Sequence, residues 1–347
     1  MRTKILFIFC TVLSFCSCRI SADSQALTTT RAPIKWQTNY EQAVQQSKTA
    51  SKPLVLFFTG SDWCGWCTKL DEEAFDTREF AEAAGSKFIF VKLDFPLYSP
   101  QDPQTKAQNK ELQQKFDVRS FPTVIIVDPK QNQQMGVTGY RPGGGKAFAD
   151  HLLKTANDYS GYKQKLGVLD HSKHTGRDLK PLYAKAMELG LVADANKIAK
   201  KGATSEESLF FMMEQYRFLA DEGQIHSKEA VVLKQQLLNA DPSNEKQIHY
   251  QLAVADFEAL SYESDKDKYN TELMIAPLTE YIEKFGTEDK ENVWRLQLLV
   301  SQVYLDKNEM VPALKYAEQS FECAPSCIQP DLARAVQNIR SKIHSSR

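Results

Sequence analysis

The sequence has no surplus of charge: 43 Lys and Arg stand against 44 Asp and Glu, a net of -1 at pH 7. Nothing in it could neutralise a run of phosphates, so nucleic acid is not an expected partner. It also lacks any apolar run near the ~20 residues of a spanning helix. With 42% hydrophobic residues and a mean hydropathy of -0.44, the body of the chain has the composition of an ordinary water-exposed fold. Histidine is scarce at 6 residues, and none has the spacing to a cysteine pair that would complete a four-ligand zinc site. Cysteine is scarce too. Of seven, Cys10, Cys16 and Cys18 crowd the N-terminus, which leaves two close pairs, Cys64 with Cys67 and Cys323 with Cys327.

What is present is organised. A length of 347 residues suggests two domains at about 100 to 200 residues each. Residues 1–22 have the form of an export signal, since Met1-Arg2-Thr3-Lys4 gives a positive start and Ile5 to Phe15 an apolar run too short to cross a bilayer. Simple removal after Ala22 or Ala26 is one reading. Bacterial lipoprotein processing at Cys18, behind the small Ser17 but with bulky Phe15 three positions back, is the other. Residues 23–33 then serve as a polar linker. Export to the periplasm or cell envelope, with or without a lipid anchor, makes the two later pairs disulfide candidates before metal ligands, and no metal is expected.

From Trp36 onward helix and strand alternate. Asn39 to Lys48 reads as a short helix, and Leu54 to Phe58 as a buried strand introduced by Pro53. Cys64 to Phe75 reads as a helix, with Asp76 and Glu79 three positions on as a candidate cap for the next one. Strands follow at Phe88 to Asp94, Thr123 to Val127 and Met135 to Gly139, and helices at Lys106 to Phe116 and Lys146 to Asn157. The order βαβαββα implies a mixed central sheet with helices on both faces. Past residue 160 the strand signal stops. Leu209, Met212, Met213, Tyr216 and Leu219 fall at helical spacing behind a Thr204 to Glu207 capping box, and Leu296, Leu299, Val300, Val303 and Tyr304 repeat the pattern. Ile275, Leu278 and Phe285 recur 36 residues later as Val311, Leu314 and Phe321, the order of period of stacked helical hairpins. The expected domains are therefore an α/β unit over 34–160 and an all-α helical-repeat unit over 165–347.

Trp63-Cys64-Gly65-Trp66-Cys67 lies between the apolar strand and an amphipathic helix. A cysteine in the first turn of a helix faces unpaired N–H groups and the positive end of the helix dipole, which favour its thiolate, the species that attacks disulfides. Two intervening residues put the second thiol one turn on, where it can attack a mixed disulfide from within. Cys64 is accordingly the expected nucleophile and Cys67 the resolving thiol. A structural bridge or half of a zinc site are the other readings of the pair.

These residues, with the continuation Thr68-Lys69-Leu70, Glu73 and Phe75, and with Val91-Lys92-Leu93-Asp94 and Val118-Arg119-Ser120-Phe121-Pro122-Thr123, resemble a thioredoxin-fold domain over residues 34 to 158. The likeness is to the exported bacterial thioredoxin-like and disulfide-isomerase branch. The helical half resembles tetratricopeptide repeats at Ser301, Tyr304, Ala313, Ala317, Phe321 and Pro325. The resemblance implies a cis peptide bond before Pro122, with the backbone of Phe121 offered to an extended substrate and Trp63 and Trp66 flanking it. It makes Lys92 a supporting residue beneath the site. It also exposes a departure: the family's buried carboxylate on the preceding strand has no counterpart in Leu56-Phe57-Phe58, and Asp62 is the nearest acid to the motif.

The implied activity is that of a thiol-disulfide oxidoreductase, a protein disulfide reductase or isomerase, with no cofactor beyond a redox-active Cys64–Cys67 disulfide. Its substrates would be exported cysteine-containing proteins, and its electrons would come from a thiol-reducing partner in the membrane. An envelope adaptor working through the helices, or a chaperone for copper or a haem-binding cysteine motif, are the alternatives. Cys323 and Cys327, four apart around Pro325, come within disulfide range if they share a helix; a structural disulfide is the first reading, with a second redox pair or free thiols as the others.

Overall fold

The computed structural model describes residues 34–169, 174–263 and 270–345. The expected export signal, the linker and Cys18 lie outside the described residues. The chain divides into two compact units at Ile198/Ala199. Among the described residues no helix is long and apolar enough to cross a membrane.

The first unit is built on a sheet of β1 (Trp36–Gln37), β2 (Leu54–Thr59), β3 (Ile89–Asp94), β4 (Thr123–Val127) and β5 (Gln134–Thr138), in the order β1-β3-β2-β4-β5. β1, β3 and β2 run parallel, while β4 is antiparallel to β2 and to β5. The central strand β2 is buried along its whole length, which is why Leu54-Val55-Leu56-Phe57-Phe58 reads as an unbroken apolar run rather than an alternation. One face of the sheet packs Leu54, Leu56, Phe58, Val91 and Ile125 against Tyr40, Ala43 and Val44 of α1 (Tyr40–Ala50) and Leu112 of α4 (Pro103–Lys115). The opposite face is aromatic. Phe57 meets Phe75 at 5.0 Å, and Phe75 meets Phe148 of α5 (Gly144–Leu169) at 5.3 Å and Phe80 of α3 (Arg78–Ala84) at 5.1 Å. The mixed sheet with helices on both faces is as expected. The two-residue strand β1 was not; it is too short to leave a periodic signal.

Several local expectations change. The helix after the cysteine motif is α2 (Gly65–Leu70) followed without interruption by a π-helical turn, Asp71–Phe75. The extra residue in that turn shifts the frame, so the cap of α3 is Thr77, whose hydroxyl accepts from the N–H of Phe80, and not Asp76. The last helix, α5, runs twelve residues beyond the expected Asn157, past the expected end of the α/β unit at residue 160. Its start packs tightly: a Cβ at Gly145 would lie 1.7 Å from Thr77 Oγ1. Its far end holds α6 (Gly176–Glu188) and α7 (Val192–Gly202) to the first unit. Lys185 pairs with Asp158 at 3.1 Å, Tyr162 donates to Asp194 at 3.0 Å, and Gln134 on β5 donates to the Gly190 carbonyl at 2.9 Å. The compact units therefore divide nearly forty residues later than the composition shift suggests, because α5 is shared by the sheet and the first helices that follow.

Among the described residues the elements of the second unit are all helices: α8 (Ser208–Asp221), α9 (Lys228–Ala240), α10 (Ile248–Glu263), α11 (Thr271–Phe285), α12 (Val293–Asp306), α13 (Met310–Cys323) and α14 (Gln329–Ser345). The expected Thr204 capping box does not form. Thr204 and Ser205 turn back to the carbonyls of Lys201 and Gly202 at the end of α7, and α8 starts behind Glu207 with no side-chain cap. In the α12–α13 hairpin the small residues do what a close helix pair needs. Ser301 donates to the Ala313 carbonyl and Ser320 to the Trp294 carbonyl, both at 2.7 Å, with Ala313 and Ala317 buried between them. The 36-residue echo is only partial in burial: Ile275 and Leu278 are buried, whereas Val311 is 73% exposed.

The expected Cys323–Cys327 disulfide is absent; both are free, exposed thiols. The inference assumed one continuous helix, but α13 ends at Cys323, and Ala324 is extended. The carbonyl of Pro325 accepts from Ile328 and Gln329, so Cys327 sits in a turn rather than one helical turn along.

Candidate active site

The site forms where β2 runs into α2. Thr59 ends the strand, and Gly60 lies under the Trp63 ring so closely that a Cβ there would come within 2.3 Å of it. The Gly60 carbonyl accepts from the N–H of Cys64 at 2.9 Å, which turns the chain into the helix. Cys64 occupies the N-cap position, where its extended backbone leaves the first helical N–H groups unpaired within the helix. Its Sγ takes one of them, the N–H of Cys67, at 3.2 Å. Cys64 and Cys67 are joined as a disulfide with Cα atoms 5.2 Å apart. Cys64 is 7% exposed and Cys67 1%, so an incoming sulfur reaches the pair through Cys64. In the dithiol form the same N–H faces a Cys64 thiolate, and a charge-assisted hydrogen bond of that kind favours the ionised sulfur.

Aromatic side chains bracket the pair. On one side Trp63, 43% exposed, donates its indole N–H to the Phe95 carbonyl at 2.8 Å and meets the Phe121 ring at 5.6 Å. Phe95 and Phe121 are themselves 5.1 Å apart. The Phe121–Pro122 bond is cis, as the resemblance implied, and the Trp63–Phe121 contact sets the segment entering β4 beside the motif. On the other side Trp66, 56% exposed, meets Tyr140 at 5.1 Å, with the Lys69 ammonium 5.1 Å from each ring. The Tyr140 hydroxyl donates to Glu73 at 2.5 Å, and that bond to a carboxylate pushes its pKa upward. Tyr140 comes from the loop after β5 and was invisible in the sequence, because only the sheet brings that loop to residue 66.

The acids are rearranged relative to expectation. Lys92 on β3 pairs with Asp71 at 3.1 and 2.9 Å, and its ammonium lies 5.1 Å from the Trp36 ring and 5.5 Å from that of Phe57. Asp71 is four residues past Cys67, at the start of the π-helical turn. Such turns recur at functional positions because they re-aim side chains. β2 carries no acid, and Asp71 on the helix is the carboxylate that pairs with Lys92, a residue that the i, i+4 spacing from Cys67 could have suggested. Asp62, the acid nearest the motif in sequence and a candidate supporting residue, is engaged elsewhere. It accepts the backbone N–H groups of Leu97, Tyr98 and Ser99 at 2.9, 2.9 and 2.8 Å, and these bonds, Leu97's foremost, lower its pKa to about 2. A carboxyl held ionised in this way is a loop anchor and a poor proton acceptor.

A mixed sheet, a Cys-Gly-Trp-Cys disulfide at the start of the helix after β2, and a cis-proline entering β4 define a thiol-disulfide oxidoreductase of the thioredoxin fold. A family model described as a thioredoxin-like domain matches residues 40–155. The thioredoxin-related protein DsbJ of Chlamydia pneumoniae is 31% identical over 308 residues, 88% of each chain, and the present chain belongs to that family of thioredoxin-related proteins. The disulfide bond reductase DsbH of the same organism is 35% identical over 152 residues, 42% of this chain and 90% of its own. A solved structure described as DsbH oxidoreductase shares 32% identity over 40% of this chain and 95% of that one, with a TM-score of 0.35.

Proposed function

We propose that the protein is an exported protein-disulfide reductase or isomerase that works through Cys64 and Cys67. The observation that carries this reading is the placement of Cys64: at the N-cap, accepting the Cys67 N–H, between two half-exposed tryptophans. In the dithiol form the Cys64 thiolate attacks one sulfur of a substrate cystine. A mixed disulfide forms and one substrate thiolate leaves. Cys67 then loses its proton and attacks Cys64 Sγ, which releases the second substrate thiol and closes the Cys64–Cys67 disulfide. Two electrons and the Cys67 proton have passed to the substrate, and the first substrate thiolate takes its proton from water. The Asp71–Lys92 pair, about three-quarters buried and one turn beyond Cys67, supports the proton step in place of an acid on β2. The cis segment Phe121–Pro122 and the faces of Trp63 and Trp66 receive the substrate backbone.

Repeated turnover requires an electron donor for the oxidised pair, and for an exported enzyme that donor is a thiol-reducing membrane protein. The export reading rests on residues 1–22, with Cys18 as the candidate lipid attachment. The tetratricopeptide-like α12–α13 hairpin and its neighbours serve to hold a substrate or partner. Replacing Cys67 with Ala tests the assignment. The variant strands substrate proteins as mixed disulfides on Cys64, visible on non-reducing gels and lost with dithiothreitol. An absence of any such adduct from an extract of exported proteins would sink the reading.

A further inference from the structure

Asp62 is two residues from Cys64, yet its carboxylate is spent on a loop. That loop, residues 95–101 between β3 and α4, is tied to the active-site turn at several points. Besides the three N–H bonds to Asp62, the Phe95 carbonyl accepts from Trp63, and the Phe95 N–H donates to Thr59. At its base Asp94 accepts both the N–H and the hydroxyl of Ser61, at 2.9 and 2.6 Å, while its carbonyl accepts from Gln101 and Asn109. Pro96 and Pro100 further restrict the backbone.

What this fixed loop carries outward is apolar. Leu97 is 67% exposed and Tyr98 82%. Single exposed hydrophobic residues are ordinary. Two adjacent ones, on a loop held by hydrogen bonds that bury neither of them, are not accounted for by the stability of the fold. Rigid exposed aromatic and aliphatic side chains next to a reactive centre are instead the usual anchors of a protein contact, since little conformational entropy is lost when they are covered. The loop is continuous with the proposed substrate groove through the Trp63–Phe95 hydrogen bond and the Phe95–Phe121 ring contact.

We infer that Leu97 and Tyr98 form a docking arm for polypeptide substrates with apolar residues near their cystine, and that Asp62 is the positioning residue that holds this arm beside Cys64. The inference rests on the protein-disulfide reading and narrows its substrate class to polypeptides over small disulfides.

The test compares two disulfides under one reductant, dithiothreitol, with the full-length protein. Insulin is the polypeptide probe, and hydroxyethyl disulfide, which has no side chains to dock, is the reference. The quantity read is the ratio of the two kcat/KM values. Leu97→Ser/Tyr98→Ser lowers the ratio about tenfold, the loss expected when interface anchors are truncated, with the change in KM for insulin. Asp62→Ala lowers it several-fold in the same sense, and Asp62→Asn, which keeps one acceptor oxygen, recovers part of the loss. A ratio within about twofold of wild type in the double variant would overturn the docking arm, as would equal losses on both probes. Wild-type protein that turns over hydroxyethyl disulfide but not insulin would instead overturn the polypeptide reading itself.

Discussion

Two cysteine pairs with nearly the same spacing have opposite fates in this molecule. Cys64 and Cys67 are bonded and buried, whereas Cys323 and Cys327 are free and exposed. Spacing therefore does not decide the outcome. The first pair begins a helix, where two intervening residues return the chain to the same side after one turn and an orphan N–H meets the sulfur. The second pair straddles a helix end, where the chain leaves the helix at Ala324 and turns at Pro325. A cysteine at a helix start gains donors for its thiolate; one at a helix end faces carbonyls and gains none.

The largest effect that could break this contrast is chemical. Alkylation of the oxidised protein should label Cys323 and Cys327 completely while Cys64 and Cys67 stay unlabelled until a reductant is added, as read by peptide mass mapping. In parallel, Cys64→Ser should reduce insulin turnover to background, and Cys323→Ser/Cys327→Ser should leave it at the wild-type rate. Labelling of all four before reduction would dissolve the distinction.

A smaller effect sharpens it: Asp71, one helical turn past Cys67, pairs with Lys92 of β3, whereas Asp331, four residues past Cys327, pairs with Arg334. Asp71→Asn should slow insulin reduction by about a hundredfold, the low end of what a positioned acid or base contributes. The labelling rates of Cys323 and Cys327 should not change. Equal turnover in the variant and wild type across pH 6–9 would remove Asp71 from the proton step.

The smallest effect is on stability. Asp62 has its folded pKa depressed to about 2, below its unfolded value near 4. Its contribution is fully present above about pH 4 and is lost as the pH falls through about 2. Wild type should therefore melt above Asp62→Asn at neutral pH, with the two Tm values converging near pH 2. A constant gap across that window would show that the carboxylate charge is not what holds the loop.

Much of the site was readable before any coordinates. The helix-start placement of Cys64, the flanking tryptophans and the proline before β4 all follow from the local order of residues or from motifs that resemblance supplies. Asp71 and Tyr140 were not readable, and Glu73 helped to carry the resemblance without a partner to name. Asp71 and Glu73 lie on a turn whose π geometry changes their aim by one residue, and Tyr140 is brought in by the pairing of β5 with β4. Asp62 was visible as the nearest acid, but proximity in sequence to Cys64 says nothing about which groups its carboxylate meets. The same limit applied to the fold. Unbroken apolar strands and amphipathic helices gave away the sheet and the helical half, but not the point where the compact units part.

The amino-acid order by itself determined which segments become strand or helix and where a reactive sulfur would sit, because both depend on neighbours a few residues away. Only the tertiary structure decided which acid pairs with Lys92 one turn beyond the cysteine pair, which aromatic residues wall that pair, and which second pair of thiols is left unbonded. Those outcomes depend on groups tens of residues apart in sequence meeting within a few ångströms, and on where a helix actually stops.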